Sequence, residues 1–269
     1  MSLVEHVLVT PGEPALLAER DPRDRLGLGG KREAEELTVG LGDELRELQS
    51  RLWAEDRRSV LLVLQGLDTA GKDSTIRRVF SGVNPLACRV ASFKAPSEDD
   101  LDHDYLWRVH AACPGRGEIG IFNRSHYEDV GVARVKKLVS EETWRRRYRH
   151  IREFERLLAD EGTTMVKVFL HISTDEQRKR LQERLDDPSK TWKFRLADLE
   201  DRRLWDAFMA AYEDALTETS TEWAPWYVVP ADRKWVRDIA VATLLVETLR
   251  RLDPHYPPPP EDLADVVVE

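Results

Sequence analysis

Residues 66 to 74 have the residue types and the spacing of a loop that binds phosphate. Their sequence is Gly-Leu-Asp-Thr-Ala-Gly-Lys-Asp-Ser, in which four residues separate two glycines and a lysine follows the second glycine. In such a loop the backbone N–H groups converge on an anion at the start of a helix, while the lysine reaches the terminal phosphates. We therefore predict phosphate contacts from seven residues of this loop, namely Gly66, Thr69, Ala70, Gly71, Lys72, Asp73 and Ser74.

The loop departs from the common pattern at the position after its lysine. Asp73 stands where the pattern has a serine or threonine whose hydroxyl binds Mg²⁺. Ser74 comes one residue late and projects about 100° further round the helix. Asp68 is the nearest carboxylate within the loop, and oxygen ligands suit Mg²⁺. We therefore predict Asp68 as the metal ligand, in a site that differs from that of a standard ATPase or GTPase.

A second polar cluster, at residues 123 to 129, follows an apolar run and has the sequence Asn-Arg-Ser-His-Tyr-Glu-Asp. Polar side chains after a strand lie at the carboxyl edge of a sheet, where open α/β folds bind ligands. Arg124 offers a two-pronged group for phosphate oxygens. Glu128 or Asp129 could accept hydrogen bonds from a nucleoside or from water on Mg²⁺. His126 has no partner at a suitable spacing, so we interpret it as structural.

The elements that position these clusters follow from the hydrophobic pattern. Apolar runs predict five strands, at residues 59–65, 87–93, 118–122, 165–172 and 226–229. Helical patterns cover residues 31–55, 72–80, 101–111, 141–160, 174–216 and 234–251. Strands that alternate with helices indicate a parallel sheet with helices on both faces. We predict an α/β fold with a five-stranded parallel sheet.

The chain divides into one large domain and two terminal segments. Residues 1–30 carry three prolines and a glycine-rich stretch, so we predict an irregular segment there. Residues 31–253 are predicted to form a single domain with a helical lid insertion at about 174–205. Residues 254–269 are predicted to form a proline-rich acidic tail.

The lid prediction depends on an arginine-rich helical pattern that is interrupted at Pro188. Arg178, Arg180 and Arg184 precede this turn, and Lys190 follows it. A hairpin of this kind is typical of a lid that supplies positive charge to a transferring phosphoryl group. A solvent-exposed hairpin without this role is the alternative interpretation.

Composition and charge exclude several classes of protein. The chain has 269 residues, of which 34% are charged, and its formal net charge is −9. It contains no apolar run of about 18 residues and no signal-peptide pattern, so we expect a cytoplasmic protein without a membrane-spanning segment. The negative charge argues against a general duplex-DNA binder, and we expect no nucleic-acid partner. Cys88 and Cys113 lack metal-ligand spacing and are predicted to be small buried residues.

Basic residues are nevertheless clustered along this acidic chain. Solvated helix faces would explain most of this clustering. A positive channel that binds a polyanion is the more specific interpretation.

Four motifs together resemble the polyphosphate kinase 2 family of polyphosphate:nucleotide phosphotransferases. They are GLDTAGKDSTIRRV, IFNRSHYEDV, RLDDPSKTWKF and STEWAPWYVVPADRKWVRDIAV, and the resemblance covers about residues 30 to 252 in order. It implies a P-loop kinase fold with a helical lid and reversible transfer of a phosphoryl group between inorganic polyphosphate and an adenine, or another purine, nucleotide. It also implies Mg²⁺ as cofactor, with Mn²⁺ as a substitute, and a homo-oligomer, either a dimer or a tetramer.

The resemblance also assigns roles to individual residues. It implies phosphate and metal binding at Asp68, Gly71 and Lys72, phosphate clamping at Arg124 and lid-supplied charge at Arg178. The acceptor is an ionised phosphate oxygen at neutral pH, so positioning and charge neutralisation are expected to carry the rate without a general base. The basic residues expected to bind polyphosphate are Arg77, Arg78, Lys179, Lys190 and Lys193.

Two positions in the second cluster bear on the choice of nucleotide. Family members that act on ADP tend to have an aspartate at the position of Asn123 and an asparagine at that of Glu128. This chain resembles the class III members, which act on both AMP and ADP, and we expect Asn123, Arg124 and Glu128 to contact the nucleotide. Residues 195–197 of the lid depart from the Ser-Pro pattern that the family leads us to expect.

Two other functions are compatible with parts of the pattern. An ATP-dependent nucleoside or nucleoside-monophosphate kinase of the thymidylate-kinase-like group would share the P-loop and an arginine-rich lid, but Asp73 and the extra basic clusters speak against it. A catalytically silent polyphosphate or nucleotide sensor would not need Asp68, Lys72, Arg124 and Arg178 together.

Overall fold

Six strands form one sheet in the computed structural model, which describes residues 2–259. The strands are β1 (Leu8–Val9), β2 (Ser59–Gln65), β3 (Cys88–Ser92), β4 (Ile119–Asn123), β5 (Thr163–His171) and β6 (Trp226–Pro230). Their order in the sheet is β1-β6-β5-β2-β4-β3. Strands β2 to β6 are parallel, and β1 pairs antiparallel with β6. The predicted α/β fold is confirmed, with six strands rather than five.

The central strand β2 explains why the two polar clusters meet. All seven residues of β2 are buried, as the continuous apolar run requires for a strand that is covered on both faces. Its neighbour β4 runs parallel to it, with Leu64 of β2 opposite Asn123 of β4. The Arg124 N–H then donates to the Leu64 carbonyl at 3.1 Å. The phosphate-loop motif and Arg124 therefore leave the sheet side by side.

Two groups of helices cover the sheet, and both contact β5. The helices are α1 (Leu3–Val7), α2 (Lys31–Glu55), α3 (Lys72–Val79), α4 (Glu98–Leu101), α5 (Trp107–Ala112), α6 (Val132–Val135), α7 (Glu141–Asp160), α8 (Thr174–Asp186), α9 (Leu196–Arg203), α10 (Trp205–Thr219) and α11 (Lys234–Leu252). Helix α11 packs against α2 and α3, while α10 packs against α6 and α7. No helix of residues 2–259 is both long and apolar enough to cross a membrane.

The N-terminal segment is more ordered than the sequence predicted. Helix α1 and strand β1 lie within the range predicted to be irregular, and Val9 pairs with Trp226. The Ser220 hydroxyl donates to the Val9 carbonyl at 2.6 Å, and the Arg20 side chain donates to the Leu8 carbonyl at 2.8 Å. The sequence did not predict β1, because a two-residue strand is too short to show an alternating pattern. Its hydrogen-bond partners are also distant in the sequence or lie in loops. The acidic part of the predicted tail falls within residues 260–269, outside the described residues.

Two predicted helices are interrupted in the structure. The range 101–111 contains the end of α4 and most of α5, which are separated by a turn in which the Asp104 side chain accepts from the Leu106 N–H. The range 174–216 contains α8, α9 and most of α10. The break after α8 occurs at Pro188, as expected for a residue that cannot continue a helix.

The two cysteines are free thiols that are partly rather than fully buried. Burial raises the pKa of Cys88 and of Cys113 to about 11, so both are protonated at neutral pH. Partial exposure follows for Cys88 from its position on the edge strand β3.

Replacement of Val9 by alanine tests the contribution of the N-terminal strand. Val9 is fully buried, so the variant should lose about 2 kcal/mol of unfolding free energy through lost contacts and a residual cavity. Val39→Ala is the matched control, because Val39 is 65% exposed and its truncation should change stability by less than about 0.5 kcal/mol. Urea denaturation of both variants measures the difference, and equal stabilities would show that β1 contributes nothing.

Candidate active site

The loop between β2 and α3 adopts backbone angles that wrap it around a point near the start of α3. Gly66, Thr69 and Gly71 have φ values of 145°, 66° and 111°. A side chain at Gly66 would bring its Cβ within 2.8 Å of the Leu170 carbonyl oxygen. Thr69 holds the left-handed conformation without being glycine, which is uncommon and costs about 1 kcal/mol or more. This geometry is the one expected of an anion-binding loop at a helix N-terminus.

Lys72 is the first residue of α3, and its side chain turns back over the loop. Its Nζ donates to the Gly66 carbonyl at 2.6 Å. Burial, together with the neighbouring Arg124 cation, lowers the pKa of Lys72 to about 8, although Asp68 and two other carboxylates act in the opposite direction. The ammonium group is therefore held close to its titration point near neutral pH, and a bound phosphate would strengthen its protonation.

Arg124 links the loop to the second polar cluster. Its guanidinium donates to the Asp68 carboxylate at 2.6 Å and to the Glu128 carboxylate at 3.0 Å. Arg124 itself has a φ of 63°, a second left-handed residue that is not glycine. Burial acts to lower the pKa of Arg124, but Glu128 and Asp68 outweigh it and raise the pKa above its ordinary value. The ion pairs with Asp68 and Glu128 keep Arg124 charged, and they place its guanidinium between the phosphate-loop motif and the second polar cluster.

Asp68 carries its negative charge in a largely buried position. Burial acts to raise the pKa of this carboxyl, but the cations Lys72, Arg124 and Arg184 outweigh it, and the pKa lies below its usual range. Asn123 of β4 donates its side-chain N–H to the other acidic residue of this motif, Asp73, at 2.6 Å. The two acidic residues of the motif therefore have different partners, since Asp68 accepts from Arg124 and Asp73 accepts from Asn123.

The acceptors at this site suit a magnesium ion that is shared with substrate. Within residues 2–259, no group of three acidic, histidine or cysteine side chains is placed to hold a metal. Mg²⁺ commonly uses only one or two carboxylates together with water and substrate phosphates. Asp68 has one oxygen bound to Arg124, while Glu128 Oε1 and Thr69 Oγ1 are buried without a hydrogen-bond partner in the described chain. These oxygen atoms fit the ligand preference of Mg²⁺.

The arginines of helix α8 differ in how they lie relative to the loop between β2 and α3. The Arg178 side chain is exposed and makes no hydrogen bond or ion pair with any residue in the range 2–259. Gln177 Nε2 donates to the Asp68 carbonyl at 3.2 Å, and Arg184 Nη1 donates to Asp198 at 3.2 Å. Arg184 is also one of the cations that lower the pKa of Asp68. The helical period explains the difference, since residues 177, 180, 181 and 184 share one face and residue 178 does not.

The structure brings only some of the predicted polyphosphate-binding residues together. Arg78 and Lys179 line one cavity of about 470 Å³, which lies between α2, α3, α8 and α11. Arg77 is exposed on α3 but does not line this cavity. Lys190 pairs with Asp187 at 2.6 Å, and Lys193 lies over the Trp192 ring, both in the turn region after α8.

Behind the second cluster, sequence reasoning missed a fully buried ion pair. Lys167 of β5 donates to Glu155 of α7 at 2.6 Å, and the Tyr127 hydroxyl donates to the same carboxylate at 2.8 Å. Burial acts to raise the pKa of Glu155, but Lys167 and His126 outweigh it and keep the carboxyl ionised. His126 is buried and lies 3.3 Å from Glu155. A lysine inside an otherwise apolar strand was the signal in the sequence, because a buried charge requires a partner.

Comparison with known proteins identifies the family. A family model described as "Polyphosphate kinase 2 (PPK2)" matches residues 29–256. The chain belongs to the polyphosphate kinase 2 family. A relative from Meiothermus ruber named "AMP/ADP-polyphosphate phosphotransferase" is 59% identical over 250 residues, which span 93% of this chain and 94% of the relative. An "ADP-polyphosphate phosphotransferase" from Rhodopseudomonas palustris is 49% identical over 227 residues, or 80% of this chain and 78% of that protein.

Solved structures of this family agree with the fold. The crystal structure of Polyphosphate Kinase 2 from Arthrobacter aurescens TC1 matches with a TM-score of 0.93 and 42% identity, covering all of this chain and 94% of that one. A putative polyphosphate kinase 2 from Pseudomonas aeruginosa matches with a TM-score of 0.83 and 31% identity, covering 88% of this chain and 50% of that one. The predictions of the family and of its P-loop kinase fold are confirmed, and the thymidylate-kinase-like alternative is not favoured.

The pKa of Lys72 predicts how activity depends on pH. In the free enzyme Lys72 loses its charge above a pH of about 8, so kcat/KM for polyphosphate should fall above that pH. At saturating polyphosphate the bound anion favours the charged amine, and kcat should begin to fall at a higher pH. Initial rates between pH 6.5 and 10 measure both profiles.

The Lys72→Met variant is the control for this profile. It should reduce kcat by several orders of magnitude without lowering the melting temperature, because the buried amine acts on phosphate charge rather than on packing. Its residual activity should lack the fall in kcat/KM above pH 8. A wild-type kcat/KM that stays constant to pH 9.5 would contradict a titration of Lys72 near pH 8.

Proposed function

We propose that this protein transfers phosphoryl groups reversibly from inorganic polyphosphate to AMP and ADP, giving ADP and ATP. The observation that carries the proposal is the contiguous set of Lys72, Asp68, Arg124 and Glu128 at the carboxyl edge of the sheet. Membership of the polyphosphate kinase 2 family supports phosphoryl transfer from polyphosphate to a nucleotide. The name of the relative from Meiothermus ruber, which matches nearly the whole chain, supports AMP and ADP as acceptors.

In this proposal the loop holds the phosphoryl group that is transferred. The backbone N–H groups and Lys72 neutralise its oxygens, while Arg124 exchanges its carboxylate partners for phosphate oxygens. Asp68, with water and substrate phosphates, would hold Mg²⁺, which neutralises the charge that develops on the phosphate oxygens during transfer. The attacking oxygen belongs to an ionised phosphate, so alignment and charge neutralisation suffice and no general base is required.

Asn123 and Glu128 are proposed to determine which nucleotide is accepted. Glu128 lies on the short helical turn after β4 and has one buried oxygen without a partner within residues 2–259. This oxygen can accept a hydrogen bond from a hydroxyl or amino group of a nucleoside. Asn123 is an amide, so it adds no further carboxylate to this edge of the sheet, and its Nδ2 donates to Asp73. A less negative site favours the approach of nucleotide phosphates.

Arg184 is proposed as the arginine that contributes charge to the transition state. It lies on the face of α8 that contacts the loop, and its ion pair with Asp198 connects α8 to α9. We propose Arg77, Arg78 and Lys179 as contacts for the remainder of the polyphosphate chain, since they extend the positive charge along α3 and α8. The cytoplasmic location and the homo-oligomer remain predictions.

Phosphoryl transfer with polyphosphate as the sole donor tests the proposal. Purified protein with Mg²⁺ is offered AMP and ADP separately, and the products are resolved by anion exchange. Formation of ADP and then ATP from AMP is the expected result. Transfer to ADP alone would contradict the assignment of Asn123 and Glu128, and activity only with ATP as donor would contradict the function itself.

A pair of arginine variants tests the assignment on α8. Arg184→Ala should lower kcat at least about a hundredfold with a smaller change in KM, as expected for a charge that acts mainly in the transition state. Arg178→Ala should stay within about threefold of the wild type, because its side chain is exposed. Steady-state kinetics at saturating polyphosphate measures both variants. A larger loss of kcat in Arg178→Ala would restore the role that the resemblance implied for Arg178.

A further inference from the structure

A buried arginine, Arg180, lies behind the phosphate-binding loop. Its side chain is almost inaccessible to solvent, with 6% of the residue exposed. Nη1 donates to the carbonyls of Thr69 and Ala70 at 2.9 and 3.2 Å. Nη2 donates to the carbonyls of Ala231 and Asp232 at 2.7 and 2.9 Å. One guanidinium group therefore joins the loop after β2 to the loop after β6.

The remaining nitrogen fixes Arg180 to its own helix. Nε donates to Glu176 Oε1 at 2.8 Å, one turn earlier in α8. Every nitrogen of the guanidinium group thus has an acceptor, as a buried arginine requires. Because the protein supplies all of these acceptors, the Arg180 side chain is held in place before any substrate binds.

A second buried arginine, Arg237 of α11, supports the same part of the loop. Its Nη1 donates to the Ala70 carbonyl at 3.3 Å, while Nε and Nη2 donate to Asp238 at 2.9 and 2.7 Å. A Cβ atom at Gly71 would overlap Arg237 Nη1. Glycine is therefore required at position 71 both for its φ of 111° and for the close approach of this guanidinium.

These bonds determine the direction of the Gly71 backbone N–H group. In a trans peptide the N–H points away from the preceding carbonyl. Because the Ala70 carbonyl faces Arg180 and Arg237, the Gly71 N–H faces the opposite side of the loop. Within residues 2–259 this N–H has no hydrogen-bond acceptor. It is free to bind an anion on the front of the loop.

We propose that Arg180 is a positioning residue for phosphoryl transfer, which fixes the loop from behind so that the Gly71 N–H is directed at the donor phosphate. The inference rests on the loop as the phosphate site of the proposed function. It also implies that the part of α8 up to Arg180 stays fixed to the two loops. Any movement of the predicted lid is then confined to the residues after Arg180. Arg180 differs from Lys72 and Arg124 in that it does not touch the substrate.

Geometry rather than charge alone carries this role. Four carbonyls on two loops are bridged by a planar group with fixed donor directions, and a lysine ammonium has only three donors at a single atom. Arg180→Lys therefore retains the positive charge but cannot hold both loops. Arg180→Met removes the charge as well, while keeping an unbranched side chain.

The test compares Arg180→Lys and Arg180→Met with the control Gln182→Ala, whose side chain is exposed on the same helix. We expect kcat/KM for polyphosphate to fall at least tenfold in Arg180→Lys and further in Arg180→Met. KM for the nucleotide should change by less than twofold, and Gln182→Ala should match the wild type. Hydrogen exchange at the Gly71 amide should be slowed by polyphosphate in the wild type and less so in Arg180→Lys.

Other outcomes overturn the inference. A folded Arg180→Lys with wild-type kinetics would do so, as would a loss that only follows the fraction of folded protein and leaves KM for polyphosphate unchanged. If neither variant folds, Arg237→Lys makes the same comparison, since it removes a second donor to the Ala70 carbonyl; an unchanged KM for polyphosphate in this variant overturns the inference.

The Lys72→Met variant separates the inference from the proposed function. Activity retained in Lys72→Met would contradict the phosphate site itself. An inactive Lys72→Met beside a fully active Arg180→Lys would contradict only the positioning role.

Discussion

The parallel register between β2 and β4 is the constraint on which the site depends. It places the ends of the two strands at one level, so that the loop with Asp68 and Lys72 emerges beside the turn with Arg124 and Glu128. The ion pair between Asp68 and Arg124, at 2.6 Å, joins the two segments. A slip of the register would separate these groups and leave charged side chains in a largely buried edge of the sheet without partners, which is costly.

Charge is balanced locally around this edge rather than over the whole chain. The protein has a net charge of −9, yet Lys72, Arg124, Arg180 and Arg184 converge on the loop. Each of the three arginines is paired with a carboxylate or with backbone carbonyls, which lowers the cost of holding cations close together. In the proposed function a phosphate ligand would replace some of these acceptors, and the cations that the fold neutralises would then neutralise the substrate.

The support behind the site consists of buried polar groups that are satisfied by protein atoms. Lys167, Glu155 and Tyr127 fix the turn that carries Glu128, while Arg180 fixes the loop that carries Lys72. Groups of this kind contribute little net stability, because their desolvation offsets their attraction. Their geometric precision is of more use to a reaction in which alignment and charge placement supply the rate.

The sequence by itself determined the α/β class, the phosphate-binding loop, the second polar cluster and the family. These features are encoded by local patterns: continuous apolar runs, the spacing of Gly66, Gly71 and Lys72, and motifs in a fixed order. The tertiary structure alone decided that β1 adds an antiparallel edge strand to the sheet, and that Arg180 holds the loop. Both arrangements depend on partners more than 50 residues away in the chain, Trp226 for Val9 and the carbonyls of residues 69 and 231 for Arg180, which no local pattern specifies.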